Sequence, residues 1–560
     1  MTGTIIGMHN NKAIVQHNDS KPNRNILVVG GPGSYKTQSV VITNILNETE
    51  NSIVVTDTKG EITESTLKIK QMQGYDTYVV NYDNMQASNR VNNLDYVEKD
   101  RDAQSVATTI VDSANKDGKK DVWYYSQLAL LKALILYVKY EEHPSKRNLG
   151  GILDFLQEFD TEKDEETNES SLDRQFSLLD KKHPARRSYE LGFKKSKGEM
   201  QGSIIVSLLT TLSTYVDEEV DHFTSFSDFH LQDIGKKKTI VYVIIPTMDS
   251  SWEGLTNLFF TQLFDELYKL ASKHYAKLPI NVNFMLDEFV NLGKFPNFEK
   301  FLATCRGYGI GVTTIIQSIP QLIDKYNENQ AEAIIGNCAT KILLNAPNKK
   351  TAEYIKSLLD KATVRVDTEN ETKQHGGDDS SKGSTSEGYN YIGRDLMTSQ
   401  ELTQMPDDQS IILVSNKHPI KAKKAFQFKM FPNYTEKFKF SQTEYVGEPS
   451  QEQLIRYEEE VKDYESNLEQ RNKDKAQIQD EIDQKREQQN KEKEESMLAE
   501  AESLFFSDEE TTDEETTNEE TTNEETTNEE SDKNKKDTKE NNKSNEEEVE
   551  EDFFFNENIK

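Results

Sequence analysis

The stretch ILVVGGPGSYKT, residues 26–37, decides the fold of the first part of the chain. Residues 26–29 are apolar and mostly β-branched, which predicts a buried strand. Residues 30–37 follow the phosphate-binding pattern G-x-x-x-x-G-K-[ST], except that Tyr35 stands where the second glycine is expected. Residues 38–47 are predicted to be a helix, so strand, loop and helix come in the order that this motif requires. The stretch therefore predicts a nucleoside triphosphate site rather than an ordinary glycine-rich turn.

The chemistry of such a loop assigns roles to its residues. Its backbone N–H groups surround the phosphates, and the helix that follows directs its positive end at them. Lys36 is expected to reach the β- and γ-phosphates of ATP, and Thr37 to hold Mg²⁺. Tyr35 must adopt a left-handed backbone that glycine adopts freely, so it is expected to slow or gate turnover. The predicted nucleotide-binding residues are Gly30, Gly31, Gly33, Ser34, Tyr35, Lys36 and Thr37.

The composition describes a long chain whose charge is unevenly distributed. Its 560 residues are too many for one domain. The formal net charge is −32, but the last 60 residues hold 23 Asp and Glu against 6 Lys and Arg, so the acidic balance does not exclude a DNA-binding body. Two cysteines form no disulfide framework, which fits a reducing compartment. The longest apolar helix candidate, 128–138, is too short to span a membrane and contains Lys132.

Apolar patterning divides the chain into predicted units. Strand and helix patterns alternate up to residue 101, helical spacing alone runs to about 222, and strand patterns return at 237–246. This order predicts an α/β fold with a parallel sheet, split by a helical insertion. The predicted units are 1–101 and 225–447 for the two parts of a nucleotide-binding domain, 102–224 for an inserted all-α domain, 448–504 for a charged helix, and 505–560 for a disordered acidic tail.

Three further segments carry predictions of their own. The Gly, Ser and Asp content of 367–392 predicts a long mobile loop. Apolar residues spaced by three and four between 454 and 482 predict either a weak coiled coil or, equally, a solvated single helix. The tail contains three copies of TTNEE and ends near three phenylalanines at 553–555, which either dock on a partner or have no role.

The second half of the site is predicted from the run FMLDE, residues 284–288, an apolar strand that ends in two carboxylates. Asp287 suits a Mg²⁺-linked water, and Glu288 suits the base that polarises the attacking water. Gln317 ends the next predicted strand, where a glutamine could sense the γ-phosphate. Arg306 ends a predicted helix, where it is either an arginine finger for a neighbouring subunit or a cation favoured by the helix dipole.

The run LDEFVNLGKFPNFEKFLATCRGYGIGVTTIIQSIPQL, residues 286–322, resembles the signature of the TraG/TraD-type coupling proteins of conjugative type IV secretion. Further stretches that resemble motifs of this family are VVTDTKGEI (54–62), RVNNLDYV (90–97) and RDLMTSQEL (394–402). The resemblance implies a RecA-like P-loop motor that uses ATP and Mg²⁺ and works as a hexameric ring. It assigns catalytic roles to Lys36, Glu288, Arg306 and Gln317, and metal binding to Thr37 and Asp287.

The sequence departs from this family in two respects. Family members commonly begin with membrane-spanning helices, and none is read here, so either the sequence starts late or a separate membrane subunit anchors the chain. The expected location is therefore cytoplasmic and peripheral, at the inner face of the cell membrane through a partner. The other departure is Tyr35 in the phosphate loop.

A basic run at 181–197, KKHPARRSYELGFKKSK, is the predicted DNA contact, with a solvated helix face as the alternative. Its cationic residues are Lys181, Lys182, Arg186, Arg187, Lys194, Lys195 and Lys197. They would contact the phosphates of single- or double-stranded DNA without reading its sequence.

Three functional hypotheses follow. The first is a coupling ATPase that receives a relaxase–DNA complex and delivers it to the secretion channel, in contact with a secretion-channel ATPase. The acidic tail would then attract the relaxase or another basic substrate protein. The second is a general double-strand DNA translocase of the same motor superfamily. The third is a nucleotide-gated receptor or scaffold in which Tyr35 impairs hydrolysis.

Overall fold

The computed structural model describes residues 3–18, 23–115, 118–159, 163–164, 167, 169–196, 199–213, 215, 217–246, 251–372 and 384–507. The chain forms one compact unit from Met1 to Gln484 and a second from Lys485 to Lys560. The tail prediction for 505–560, with its phenylalanines at 553–555, lies almost entirely outside the described residues. The finer domain boundaries proposed within the first unit stay a prediction.

Eleven of the described strands form one sheet, in the order β2-β1-β13-β12-β9-β3-β8-β7-β4-β6-β5. Its strands are β1 Thr4–His9, β2 Lys12–Gln16, β3 Ile26–Val29, β4 Ser52–Asp57, β5 Asp76–Asn81, β6 Thr239–Ile244, β7 Val282–Leu286, β8 Ile310–Ile316, β9 Thr340–Leu343, β12 Gln409–Val414 and β13 Ile420–Lys423. Neighbours from β9 to β5 are parallel, and the predicted parallel strands are confirmed there. The opposite edge, from β9 through β12, β13 and β1 to β2, is antiparallel.

The parallel strands are buried on both faces, which explains why they appear in the sequence as continuous apolar runs. Ile26 and Val28 of β3 belong to one hydrophobic core, whereas Leu27 and Val29 belong to the other. Successive side chains of a strand point to opposite faces, so the two cores cover the two sides of the sheet. This burial holds the loop that follows Val29 at the carboxyl edge of the sheet.

Helices cover both faces and fill the segment between β5 and β6. Those of the sheet region are α1 Ile42–Asn47, α2 Glu61–Met72, α10 Asp233–Lys236, α11 Glu253–Lys273, α12 Phe298–Thr304, α13 Ile319–Tyr326, α14 Glu328–Gly336, α15 Lys349–Leu359, α16 Ser399–Thr403, α17 Gln427–Met430 and α18 Tyr434–Lys437. Those between β5 and β6 are α3 Asp100–Ala114, α4 Val122–Glu141, α5 Leu149–Gln157, α6 Ser171–Ser177, α7 Pro184–Leu191, α8 Glu199–Ser213 and α9 Glu218–Thr224. In the described part of the chain, no helix has both the length and the apolar character needed to cross a bilayer.

The prediction of a mobile loop at 367–392 was wrong for most of this segment. β10 Lys361–Thr372 and β11 Ser384–Asp395 form a separate antiparallel ribbon, paired from Lys361 with Asp395 to Thr372 with Ser384. Residues 373–383 lie outside the described residues. The high content of Gly, Ser and Asp predicted a loop, although KATVRV (361–366) just before the segment and YNYI (389–392) at its end have the residue types of strands.

The predicted charged helix is α19, Gln451–Ser507, and its first part is not solvated on all sides. It packs against the helices between β5 and β6. Arg471 Nη1 donates to Tyr140 O at 2.7 Å, and Lys475 Nζ lies 2.9 Å from Glu141 Oε2. These two cations interrupt the apolar spacing of the sequence, and they anchor the helix to the end of α4.

Candidate nucleotide site

The phosphate loop lies at the carboxyl edge of the parallel sheet, where ligands of such folds bind. It connects β3 to a π-helical turn, Thr37–Val41, which continues into α1. A Cβ atom on Gly30 would lie 2.5 Å from Ser34 Oγ, so a side chain there would force Ser34 to shift. Gly31 N donates to Asn345 Oδ1 at 2.7 Å, a contact from the loop after β9 that the sequence did not reveal. Gly30 N donates to Ile316 O of β8 at 3.1 Å, so the loop is held from both neighbouring strands.

Tyr35 has the left-handed backbone conformation that the sequence predicts, with φ +64°. A non-glycine residue in this region costs about 1–2 kcal/mol. The Tyr35 ring packs at its edge against Phe426, with 5.4 Å between ring centroids. Such aromatic pairs contribute about 0.5–1.5 kcal/mol. The ring contact is thus of the same order as the backbone strain and offsets much of it.

Lys36, Glu288 and Gln317 form one connected group beside the loop. Lys36 is buried, and its Nζ lies 3.4 Å from Glu288 Oε1. Gln317 Nε2 donates to Glu288 Oε2 at 2.8 Å. Glu288 itself has a left-handed backbone, φ +50°, directly after β7. The fold thus brings together three of the four residues predicted to be catalytic, with both oxygens of Glu288 engaged.

Asp287 and Thr37 form the second predicted pair. Thr37 Oγ1 donates to Asp287 Oδ2 at 3.1 Å, and Thr56 Oγ1 donates to the backbone oxygen of Asp287 at 2.8 Å. Burial and, to a smaller extent, the adjacent Glu288 raise the pKa of Asp287 to about 6 against the opposing effect of Lys36. A hydroxyl beside a carboxylate is a donor set that suits Mg²⁺, which keeps several waters and takes few protein ligands.

The raised pKa of Asp287 predicts that this site lowers the stability of the nucleotide-free protein at neutral pH. Because the pKa in the folded protein lies above the ordinary value of 3.8, the unfolding free energy falls as the pH rises from about 4 to 6. We expect Asp287→Asn to stabilise the protein at pH 7.5 by up to about 3 kcal/mol, and by much less at pH 4.5. Denaturant unfolding at both pH values, with exposed Asp324→Asn as the control, measures this. A variant no more stable than wild type at pH 7.5 would contradict it.

A cavity of about 490 Å³, within the usual size of a ligand pocket, is lined by Lys36, Thr37, Glu288 and Gln317. The Ser34 hydroxyl beside it is buried and makes no hydrogen bond within the described residues, so it suits an anionic ligand oxygen. Sequence reasoning assigned no role to some of the residues that line it. These are Pro32, Gln38, Thr58, Lys59, Glu61 and Asn291. Lys59 could have been found, because it follows the carboxyl end of buried strand β4.

Arg306 is not brought to this cavity. It is exposed in the 3₁₀ turn Cys305–Tyr308, which precedes β8, whereas Gln317 directly follows β8. β8 has 7 residues, so its two ends, one next to the turn of Arg306 and the other next to Gln317, lie roughly 23 Å apart. Within the described residues, the Arg306 side chain makes no hydrogen bond or ion pair, so it is available to another molecule.

The basic run is only partly available for DNA. Arg186 donates to Ser177 O and Leu179 O, each at 2.7 Å, which fixes it inside the helical region. Lys194 Nζ lies 3.2 Å from Glu169 Oε1. Lys197 lies outside the described residues. The remaining cations of the run are exposed: Lys181, Lys182, Arg187 and Lys195.

A phosphate loop at the carboxyl edge of a parallel sheet, with a glutamine after the adjoining strand β8 and an Asp–Glu pair after β7, defines a P-loop protein of the RecA-like motor class. The model of one protein family, described as type IV secretory system conjugative DNA transfer, matches residues 2–456. The chain belongs to this family. The family and the fold class expected from the sequence are thereby confirmed.

Named relatives agree with this assignment. The chain is 26% identical over 374 residues to conjugal transfer protein TraG of Escherichia coli, covering 64% of this chain and 58% of the relative. It is 26% identical over 215 residues to protein VirD4 of Rhizobium radiobacter, covering 38% of this chain and 30% of the relative. The chain thus spans less than two thirds of the length of either relative.

Solved structures show the same fold. The bacterial conjugative coupling protein TrwBdeltaN70, in its unbound monoclinic form, matches with a TM-score of 0.52 at 16% identity, covering 75% of this chain and 87% of the other. TrwB in complex with the non-hydrolysable GTP analogue GDPNP matches with a TM-score of 0.50 at 17% identity, covering 76% and 89%.

Proposed function

We propose that this chain is the coupling ATPase of a conjugative type IV secretion system, which hydrolyses ATP with Mg²⁺ and delivers a relaxase–DNA substrate to the transfer channel. The observation that carries the proposal is the position of Glu288. Its carboxylate lies between Lys36 and Gln317, beside the Thr37–Asp287 pair, at one cavity of a chain whose family match covers most of its length.

Each side chain of the site has a role in this proposal. Lys36 binds the β- and γ-phosphates, and Glu288 accepts a proton from the attacking water. Gln317 orients Glu288 through its hydrogen bond. Thr37 and Asp287 would hold Mg²⁺, which neutralises phosphate charge when bound. Arg306 acts on the cavity of a neighbouring copy in a hexameric ring, because it does not reach its own.

The proposed partners follow from charge and family. DNA, single- or double-stranded, would contact the exposed cations Lys181, Lys182, Arg187 and Lys195. The acidic segment after residue 505 would attract the relaxase or another basic substrate protein. The other proposed partners are a secretion-channel ATPase and a separate membrane-anchoring subunit. Through the anchoring subunit, the chain would lie at the inner face of the cell membrane.

ATP turnover with and without DNA tests the proposal. Wild type is expected to release phosphate, faster with single-stranded DNA, and Lys36→Ala is expected to abolish release. Affinity for a purified relaxase, measured in parallel, distinguishes coupling from translocation. Stimulation by duplex DNA alone without relaxase affinity would favour a general translocase. Nucleotide binding without turnover would favour a receptor or scaffold.

Removal of the acidic tail is expected to separate partner binding from catalysis. Deleting 505–560 removes 22 Asp and Glu and 6 Lys and Arg, half of the net charge of −32, but no residue of the cavity. We expect the truncated chain to keep wild-type turnover and to bind the relaxase more weakly, with a smaller dependence on salt. Titration at two salt concentrations measures this. Equal affinity of both chains would contradict the assignment of the tail.

A further inference from the structure

The segment 424–427, which we call the strap, lies against the phosphate loop, the turn that follows it and the start of α1. Every residue of the strap makes one contact there. The contacts are a hydrogen bond from Lys424 Nζ to Ser34 O (3.0 Å), one from Thr43 Oγ1 to Ala425 O (2.7 Å), the edge contact of Phe426 with Tyr35 (5.4 Å) and a hydrogen bond from Gln427 Nε2 to Gln38 Oε1 (3.0 Å).

We infer that Lys424 is a positioning residue of the phosphate loop, which holds the Ser34–Tyr35 peptide in the orientation that binds nucleotide phosphate. The inference rests on the proposed use of ATP at this site. It explains how a loop with tyrosine in place of its second glycine keeps a binding conformation, and nothing in the motif itself indicates it.

The geometry of the peptide bond gives the mechanism. In a trans peptide the C=O and N–H groups point in opposite directions. Lys424 holds Ser34 O from behind the loop and is not among the residues that line the cavity. The N–H of Tyr35 on the same peptide is therefore directed away from Lys424, toward the side on which phosphate oxygens are expected.

Burial shows that Lys424 serves more than packing. The side chain is buried, and burial lowers its pKa against the opposing effect of Asp407 and Asp408. A buried ammonium is costly unless it is paired, so an apolar side chain would suit a purely structural position better. Its backbone is also fixed, because Lys424 N donates to Asp408 O at 2.8 Å. A fixed backbone holds the ammonium against the Ser34 carbonyl.

The first test compares Lys424→Met and Lys424→Arg with Lys423→Met, which changes the exposed neighbouring lysine. Affinity for fluorescent ADP and ATP analogues is measured by equilibrium titration, and turnover is measured separately. We expect Lys424→Met to weaken both affinities about tenfold or more, Lys424→Arg to restore part of the loss, and Lys423→Met to bind as wild type. Turnover of Lys424→Met should change mainly in KM. A folded Lys424→Met protein with affinity within about twofold of wild type overturns the inference.

A double-mutant cycle of Lys424→Gln with Tyr35→Gly decides the matter if Lys424→Met does not fold. Lys424→Gln removes the ammonium that holds Ser34 O but keeps a polar side chain, whereas Tyr35→Gly removes the need for support. We expect Lys424→Gln to weaken nucleotide affinity about fivefold in the natural chain and less than twofold in the Tyr35→Gly chain. Equal losses in both chains would overturn the inference. Absent turnover by wild type would instead refute the proposed function, since the affinities are measured independently.

Discussion

Replacing Glu288 with glutamine is expected to abolish ATP turnover and to leave nucleotide binding intact. Glutamine keeps the size of the side chain and can still contact Gln317, but it does not accept a proton. Loss of a general base lowers turnover by roughly 10²–10⁴-fold. The change also removes the negative charge that lies 3.4 Å from Lys36 Nζ, so the lysine is freed for phosphate. Affinity for an ATP analogue should therefore equal or exceed that of wild type.

The measurement is phosphate release under saturating ATP, paired with equilibrium titration of a fluorescent ATP analogue. Glu328→Gln, an exposed carboxylate in the first turn of α14, is the matched control and should turn over ATP as wild type does. Turnover of Glu288→Gln within tenfold of wild type would show that another group activates the water. Loss of binding together with turnover would show that Glu288 has a structural role instead.

The sequence predicts the centre of the sheet far better than its edge, for a physical reason. Strands such as Thr239–Ile244 are buried on both faces, so they appear as unbroken apolar runs. β1 and β13 lie in the antiparallel edge, where side chains are partly exposed and the runs are short and mixed. The ribbon of β10 and β11 is exposed as well, and its polar composition predicted a loop. Apolar patterns in a sequence reflect which side chains are buried, so they do not predict strands whose side chains are only partly buried.

In the candidate site, the residues that lie in short sequence motifs were predictable, and the residue that comes from a distant segment was not. Lys36, Thr37, Asp287 and Glu288 were predictable, because each follows a buried strand within a short motif. The position of Lys424 was not, because its contact with Ser34 joins residues 390 positions apart. No local pattern distinguishes this buried lysine from its exposed neighbours in the run KAKK. Supports that reach a site from distant segments become visible only once the chain is folded.

Arg306 is the remaining predicted catalytic residue, and its two interpretations require different partners. α12 ends at Thr304, and Arg306 lies in the 3₁₀ turn that directly follows, where its side chain makes no hydrogen bond to the described residues. Its charge can favour the carboxyl end of α12 without a direct contact, whereas an arginine finger requires a nucleotide within reach. The opposite end of β8 carries Gln317, so Arg306 and its own cavity lie at opposite edges of the sheet. An arginine finger at this position must act between copies.

Mixing two inactive variants is expected to restore turnover. Arg306→Ala lacks the finger and Lys36→Ala lacks phosphate binding, and each alone should be inactive, since an arginine finger contributes roughly 10³–10⁵-fold. In an equimolar mixed ring, about one quarter of the sites combine an intact Lys36 with an intact Arg306 from the neighbour, so about one quarter of wild-type turnover should return. Lys36→Ala mixed with the Lys36→Ala/Arg306→Ala double variant is the control and should stay inactive. Co-assembly is verified by pull-down of differently tagged chains. If the variants co-assemble and turnover stays at the background of the control, Arg306 is not an arginine finger. The geometry leaves it no nucleotide to reach other than that of a neighbouring copy.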